Sequence, residues 1–448
     1  MENSELYLRR KMDDFLSAWK MRPGHMPLVV RGARQIGKSE TIRRFSDKNY
    51  KYKVEINFAT QPEYRTVCKD GYSVEAIIKN ITLINPSLII EPGETIFFFD
   101  EIQDYIELAT ALKSFREDGR FDVICSGSMM GINYQKIESN AVGNKEDVEM
   151  HSMDFEEFLW ALDYKDEQID GFYKKMQKIL PLSETEYNVL LRHFREYMVL
   201  GGMPAIVKQF ILSASFVGSL NLQRQILLDY EEDITKYANG LDQTKILNVY
   251  RKIAVFLGNE NKKFQISKVE DGARNREYVG VVDWLERSGI INICYCLDRV
   301  ALPLKGNYDP NNFRIYFSDT GLLIGSLDDE VQDDLRKNQN LNTYKGAIYE
   351  NIVSDILIKA GYNLYFYRNE KGTIEMDFFV RDKSSLIPVE VKANDGATAS
   401  LNNLIESDKY PDIQYGIKFC NKNIGWNGKF YTFPYFLAFL LKRFLAEK

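Results

Sequence analysis

Apolar residues recur with two periods along this chain, and in its first third the two alternate. Leu8, Met12, Phe15, Leu16 and Trp19 fall at helical spacing and predict a helix over 5–21. The run Pro27-Leu28-Val29-Val30 predicts a strand, Glu40–Phe45 a helix, and the alternation of Tyr52–Phe58 a second strand. Thr95-Ile96-Phe97-Phe98-Phe99 is a block of large apolar residues that ends on Asp100 and Glu101. That is the pattern of a central parallel strand, covered on both faces, with its charges at the carboxyl end. A helix over 105–118 and another buried strand, Phe121–Cys125, follow, the strand running out into Ser126-Gly127-Ser128.

The pattern changes after about residue 165. Residues 166–335 read as mostly helical. Lys262–Val269 predicts a strand entry and a short helix, and Arg276–Ile291 a second helix closed at Gly289. Ile293–Leu297 and Phe313–Phe317 then read as the two strands of a wing, an order that predicts a winged helix. Lys262, Lys263, Lys268, Arg274 and Arg276 would give it a basic face, suited to DNA phosphates. A structural lid over the first domain is an equal reading. In the tail, Lys345–Leu357 predicts an amphipathic helix, and Thr373–Val380 and Leu386–Lys392 predict strands.

The 448 residues suffice for several domains, and 45% hydrophobic with 27% charged residues excludes a disordered chain. No apolar run approaches a membrane span, and Met1–Glu5 is no secretory signal, so a cytoplasmic protein with no membrane partner is expected. The five cysteines lack a C-x-x-C pair and predict buried free thiols. The net charge of −6 argues against an always-on nucleic-acid coat.

Chemistry enters with Gly32-Ala33-Arg34-Gln35-Ile36-Gly37-Lys38-Ser39, a Walker A pattern set between strand and helix, where it belongs. Glycines let backbone N–H groups curl round a phosphate, and the following helix points its positive end at it. Gly32, Ala33, Arg34, Gln35, Ile36, Gly37, Lys38, Ser39 and Glu40 are expected to bind ATP, with Lys38 on the β- and γ-phosphates and Ser39 on Mg²⁺. Asp100 would hold Mg²⁺ from the Walker B strand, and Glu101 would polarise the attacking water. Arg9, Arg10 and Lys11 read as a solvated face, with nucleotide contact the lesser alternative.

Several further blocks occur in order: Cys125–Ser128, Met153-Asp154-Phe155-Glu156-Glu157-Phe158, Tyr197 with Gly201-Gly202-Met203-Pro204, and Tyr316-Phe317-Ser318-Asp319-Thr320-Gly321-Leu322. With the Walker motifs, they make the chain resemble the prokaryotic AAA-like ATPases that carry a C-terminal "domain of unknown function 4143". The resemblance implies a sensor residue at Ser128 or Ser126 and a site completed by an arginine across a subunit interface. A homo-oligomer is thus implied, with Arg116, Arg120 and Arg195 as candidates. Many relatives have Gly-Arg where this chain has Gly143-Asn144, and Lys145 is a weak substitute.

The resemblance also implies a nuclease-like tail, and the residues fit one. Glu350 sits beside the apolar face of its helix; Glu375 and Asp377 share a strand face; Glu390 and Lys392 share another. Glu350, Asp377, Glu390 and Lys392 resemble a PD-(D/E)xK core. Asp377 and Glu390 would chelate Mg²⁺ or Mn²⁺, and Lys392 would orient or deprotonate water. The expectation is thus an α/β, multidomain chain: an AAA-like P-loop parallel sheet over 1–165, a helical and winged-helix segment over 166–335, and a restriction-endonuclease-like domain over 336–448. Its expected function is Mg²⁺-dependent ATP hydrolysis coupled to DNA binding or cleavage. The alternatives are a signalling or scaffold ATPase whose inactive tail binds a partner, and an ATP-driven remodeller of protein complexes.

Overall fold

The computed structural model describes residues 6–128, 143–238, 243–257, 264, 269, 275–328, 330–337, 339 and 344–448. The first unit runs α1 (Lys11–Met21), β1 (Leu28–Arg31), α2 (Lys38–Asn49), β2 (Tyr52–Asn57), α3 (Val74–Ile84), β3 (Thr95–Asp100), α4 (Leu108–Asp118), β4 (Asp122–Gly127), β5 (Glu146–Glu149) and α5 (Phe155–Ala161). Its five strands lie in the order β2-β3-β4-β1-β5, and each neighbouring pair is parallel. The period-two alternation explains why the sheet is covered on both sides. Leu28, Val30, Ile96, Phe98 and Ile124 face one buried cluster, whereas Val29, Phe97, Phe99, Val123 and Cys125 face another. The parallel-sheet expectation is met. All five cysteines are buried free thiols.

The middle is helical as expected: α6 (Asp166–Gln177), α7 (Glu184–Leu200), α8 (Pro204–Ser213), α9 (Ser219–Tyr237), α10 (Gln243–Leu257) and α11 (Asn275–Arg287). Then come β6 (Ile291–Leu297), β7 (Tyr308–Phe317), α12 (Thr320–Gly325) and α13 (Val331–Lys337). Most of the stretch Lys262–Val269, with Arg274 and the Arg276 side chain, lies outside the described residues, and so does the basic cluster expected there.

The tail contains α14 (Tyr344–Lys359), β8 (Leu364–Arg368), β9 (Glu375–Met376), β10 (Phe378–Arg381), β11 (Leu386–Val391), α15 (Ala399–Glu406), β12 (Gly416–Cys420), β13 (Gly425–Trp426), β14 (Phe430–Pro434) and α16 (Leu441–Ala446). Its main sheet has the order β10-β11-β12-β14-β13. The hairpin expected as a wing does form, since β6 and β7 are antiparallel, but β6 also pairs in parallel with β8. The β7-β6-β8-β9 sheet therefore joins middle and tail. One buried cluster runs from Leu8 in the first unit to Leu445 in the tail, so the expected borders at 165 and 335 fall within a shared core. None of the helices described is long and apolar enough to cross a membrane.

Candidate functional site

The Walker loop leaves β1 at Gly32, whose backbone passes so close to the Met150 carbonyl that a Cβ would lie 2.1 Å from its oxygen. Only glycine fits there, which fixes the loop against the residue after β5. Lys38 opens α2 and is buried; its Nζ donates to the carbonyls of Gly32 (3.1 Å) and Ala33 (2.7 Å). Burial lowers its pKa to about 8, against the pull of Glu101 and Asp100. Phosphates would restore the ammonium. ATP binding at pH 8.5 is therefore expected to take up most of a proton, seen as a calorimetric heat that depends on buffer ionisation enthalpy. At pH 6.5, where Lys38 is already charged, that proton uptake should disappear.

Asp100 ends β3 and is buried. It gathers four donors. Ser39 Oγ (2.9 Å) and Asn57 Nδ2 (3.0 Å) reach Oδ2, while the Glu101 N–H (3.1 Å) and the Ser126 hydroxyl reach Oδ1. The register explains this: Asn57 pairs with Asp100 on the neighbouring strand, so both reach the carboxyl edge of the sheet together. Glu101 follows in a left-handed conformation at φ 55° and hydrogen-bonds to the Gln103 amide. Ser128, just past β4, is buried. Sequence reasoning missed Asn57. A polar residue closing a strand beside Walker B was the available signal.

Two further groups hold the loop. Arg10, expected on a solvated face, is buried, because the helix starts only at Lys11. Its Nη1 donates to Ile36 O and its Nη2 to His151 O, both at 2.6 Å, and its Nε lies 3.2 Å from Glu157. From the other side, α9 clasps the loop. Arg34 Nη1 meets Asp233 Oδ1 and Gln35 Nε2 meets Asp229 Oδ2, each at 2.6 Å, and the Tyr230 hydroxyl donates to Arg34 O at 3.2 Å. Burial pushes the Asp233 carboxyl up to about 6 even beside Arg34. Lys145 is committed elsewhere, in an ion pair with Asp147.

In the tail, the strand expected over Thr373–Val380 is broken at Asp377, between β9 and β10. Asp377 Oδ2 accepts from the Val391 N–H at 2.8 Å. Glu350 on α14 and Glu390 on β11 are buried, and Lys392 Nζ lies 2.9 Å from Glu390 Oε1. Burial opposes the Lys392 ammonium, but the carboxylates of Glu390, Asp377 and Glu350 outweigh it and hold its pKa above the ordinary lysine value. The four residues thus act on one another from three elements. A fifth was not anticipated. Arg314 of β7, 2% exposed, ion-pairs with Glu375 and lies 3.8 Å from Glu350 Oε2. Among the described residues no group of three or more His, Cys, Asp or Glu side chains converges as metal ligands. The donor set therefore does not by itself make a metal centre, and Lys392 and Arg314 already supply positive charge.

Residues 24–159 match a family described as an AAA domain, 191–333 a domain of unknown function (DUF8612), and 345–436 a domain of unknown function (DUF4143). The chain carries an AAA-type ATPase domain and a DUF4143 tail. No curated protein matches it. Solved structures with similarity include the Walker-type ATPase paby2304 of Pyrococcus abyssi, at 13% identity and TM-score 0.43, covering 71% of this chain and 96% of that one. AMPPCP-bound DnaA from Aquifex aeolicus matches at 12% and 0.28, covering 61% and 86%. The Aeropyrum pernix ORC1 protein in complex with DNA matches at 10% and 0.28, covering 73% and 91%. At these identities and scores the likenesses say nothing about activity.

Proposed function

We propose that ATP binding and hydrolysis at Gly32–Ser39 control the DUF4143 tail through α9. The carrying observation is the clasp: the Arg34 and Gln35 side chains of the phosphate loop are held by Asp233 and Asp229 of α9. A triphosphate entering the loop sets its charge against those carboxylates, so occupancy and the position of α9 are coupled. Lys38 then exchanges two carbonyls for phosphate oxygens. Ser39 and Asp100, already 2.9 Å apart, fit a Mg²⁺ ion. Mg²⁺ would neutralise charge on the β- and γ-phosphates. Glu101 orients the attacking water, with Ser128 or Ser126 beside it. The proposal includes a homo-oligomer in which a neighbouring copy supplies an arginine. Arg120 is exposed but ion-paired with Asp118 and Glu75, and Arg195 hydrogen-bonds to Tyr349 of the tail, so either would have to leave its partner to reach a neighbouring copy.

For the tail the proposal is ATP-regulated DNA binding or cleavage, with Glu350, Asp377, Glu390 and Lys392 as its site. Glu390 Oε2, buried without a hydrogen-bond partner, supports a cation there. One observation favours the second reading, an inactive tail that binds a partner: Arg314 and Lys392 already balance the carboxylates.

Glu101→Gln is expected to retain ATP binding and lose at least about 100-fold in turnover; normal turnover removes Glu101 from its role. The full-length protein should also be incubated with plasmid, linear, branched and single-stranded DNA, with and without ATP, in Mg²⁺ and in Mn²⁺. Cleavage that disappears in Asp377→Ala and Lys392→Ala supports the nuclease. Absence of both cleavage and salt-dependent DNA affinity assigns the scaffold.

A further inference from the structure

Beside the carboxylate cluster lies a cavity of about 880 Å³, walled by the ends of β6 and β7 and by the β8–β9 hairpin. Arg314, Arg368, Lys371 and Lys409 line it against only Asp298 and Glu370. One carboxylate, Glu375, serves two guanidiniums: it pairs with Arg314 and lies 3.7 Å from Arg368 Nε. Arg314 lies over the Phe366 ring, 4.1 Å from its centroid; its Nε makes no hydrogen bond and its Nη1 has only the 3.8 Å ion pair with Glu350, although the side chain is 2% exposed. A buried guanidinium that keeps hydrogen-bonding capacity on a cavity wall, beyond its ion pairs, is prepared for an anion of two or more oxygens, and phosphate fits its fork. Tyr367, half-buried on the same wall, offers a ring face for a base. The hairpin is itself ordered. Asn369 accepts from the Ile374 N–H at 3.1 Å and donates to Thr373 at 2.8 Å, which fixes the turn that carries Lys371.

We infer that this cavity binds the phosphate of a nucleotide unit, presented either by a single nucleic-acid strand or by a free mononucleotide. The inference gives the tail a ligand class and holds whether or not the tail cleaves. Arg314 and Arg368 grip the phosphate, Lys371 and Lys409 add charge at the rim, and Tyr367 stacks.

Binding is measured on the full-length chain in EDTA, where no cleavage occurs, in a Lys38→Ala background that weakens the Walker loop. The probe is a fluorescent oligothymidine, with dTMP and inorganic phosphate as competitors. The rim variant Lys371→Glu/Lys409→Glu changes only exposed side chains. It is expected to lose at least tenfold in affinity and to flatten the salt dependence. Arg314→Gln should lose binding too; if it does not fold, the rim variant decides. Displacement by dTMP identifies the free nucleotide as the source, and resistance to it identifies the strand. Affinity within twofold of the parent in the rim variant, or no binding of any probe, overturns the inference. Failure of the cleavage assay leaves it untouched.

Discussion

Asp319→Ala is expected to lower the stability of the chain by about 3–8 kcal/mol, a melting shift on the order of 10 °C. Asp319 is 2% exposed and satisfies four donors from three places. Its Oδ2 accepts from the Ser152 hydroxyl (2.7 Å), just after β5, and from the Gly202 N–H (2.8 Å), between α7 and α8. Its Oδ1 caps α12 through the N–H groups of Gly321 (3.0 Å) and Leu322 (3.3 Å). Losing the cap alone costs about 1–2 kcal/mol. The orphaned Gly202 N–H and Ser152 hydroxyl, both buried, each add about 1–3 kcal/mol. Asp319→Asn keeps one acceptor oxygen and should fall between. Differential scanning fluorimetry checks the order wild type, Asn, Ala. A shift under about 2 °C for the alanine variant would mean that Asp319 does not tie these segments together.

The same place explains three blocks that the sequence displayed without a reason. Met153 donates one backbone hydrogen bond to the glycine pair, its N–H reaching Gly202 O at 2.7 Å, and its own carbonyl accepts from the Tyr197 hydroxyl at 2.8 Å. A Cβ on Gly202 would stand 1.9 Å from Met153 O, so no side chain is tolerated. Lys359 of α14 reaches that carbonyl as well, at 3.2 Å, and pairs with Asp355 at 2.8 Å. Blocks that serve to recognise this architecture thus form the junction at which ATPase unit, middle helices and tail meet.

Central strands were legible because burial on both faces leaves a continuous apolar run, and the Walker loop because phosphate binding demands glycines at fixed spacing. The clasp and Arg314 were not legible, and for one reason. A charged residue in an otherwise regular element reads as solvent-facing. Asp229 and Asp233 lie four apart on α9, the spacing of an ordinary exposed helix face. Arg314 sits in the alternation Phe313-Arg314-Ile315, the signature of a half-exposed wing strand. Burial of that stretch of β7 comes from α10 and α14 packing on it, elements too distant in sequence for any local pattern to record. The break at Asp377 was equally hidden: its carboxylate bonds the β11 backbone, a long-range tie that no period records.

Asp100→Asn is expected to abolish Mg²⁺-dependent ATP turnover, by about 100- to 1,000-fold or more, with the fold intact. The size follows from how the residue is used. Its two oxygens are shared among Ser39, Asn57, Ser126 and the Glu101 N–H, so one carboxylate sets the positions of the hydroxyl expected at Mg²⁺ and the carboxylate expected at water. An amide has one acceptor oxygen, so two of the four donors lose their partner or turn away, and the negative charge facing the metal is gone. ATP binding in EDTA depends on the loop backbone and Lys38 and should stay within about twofold of wild type, while the gain in affinity on adding Mg²⁺ should disappear. Ser126→Ala removes a single hydrogen bond and should cost only about fivefold in turnover, or about 1 kcal/mol. Equal losses in the two variants would mean that Asp100 acts by holding Ser126, and that the metal-facing role assigned to its carboxylate belongs to another group.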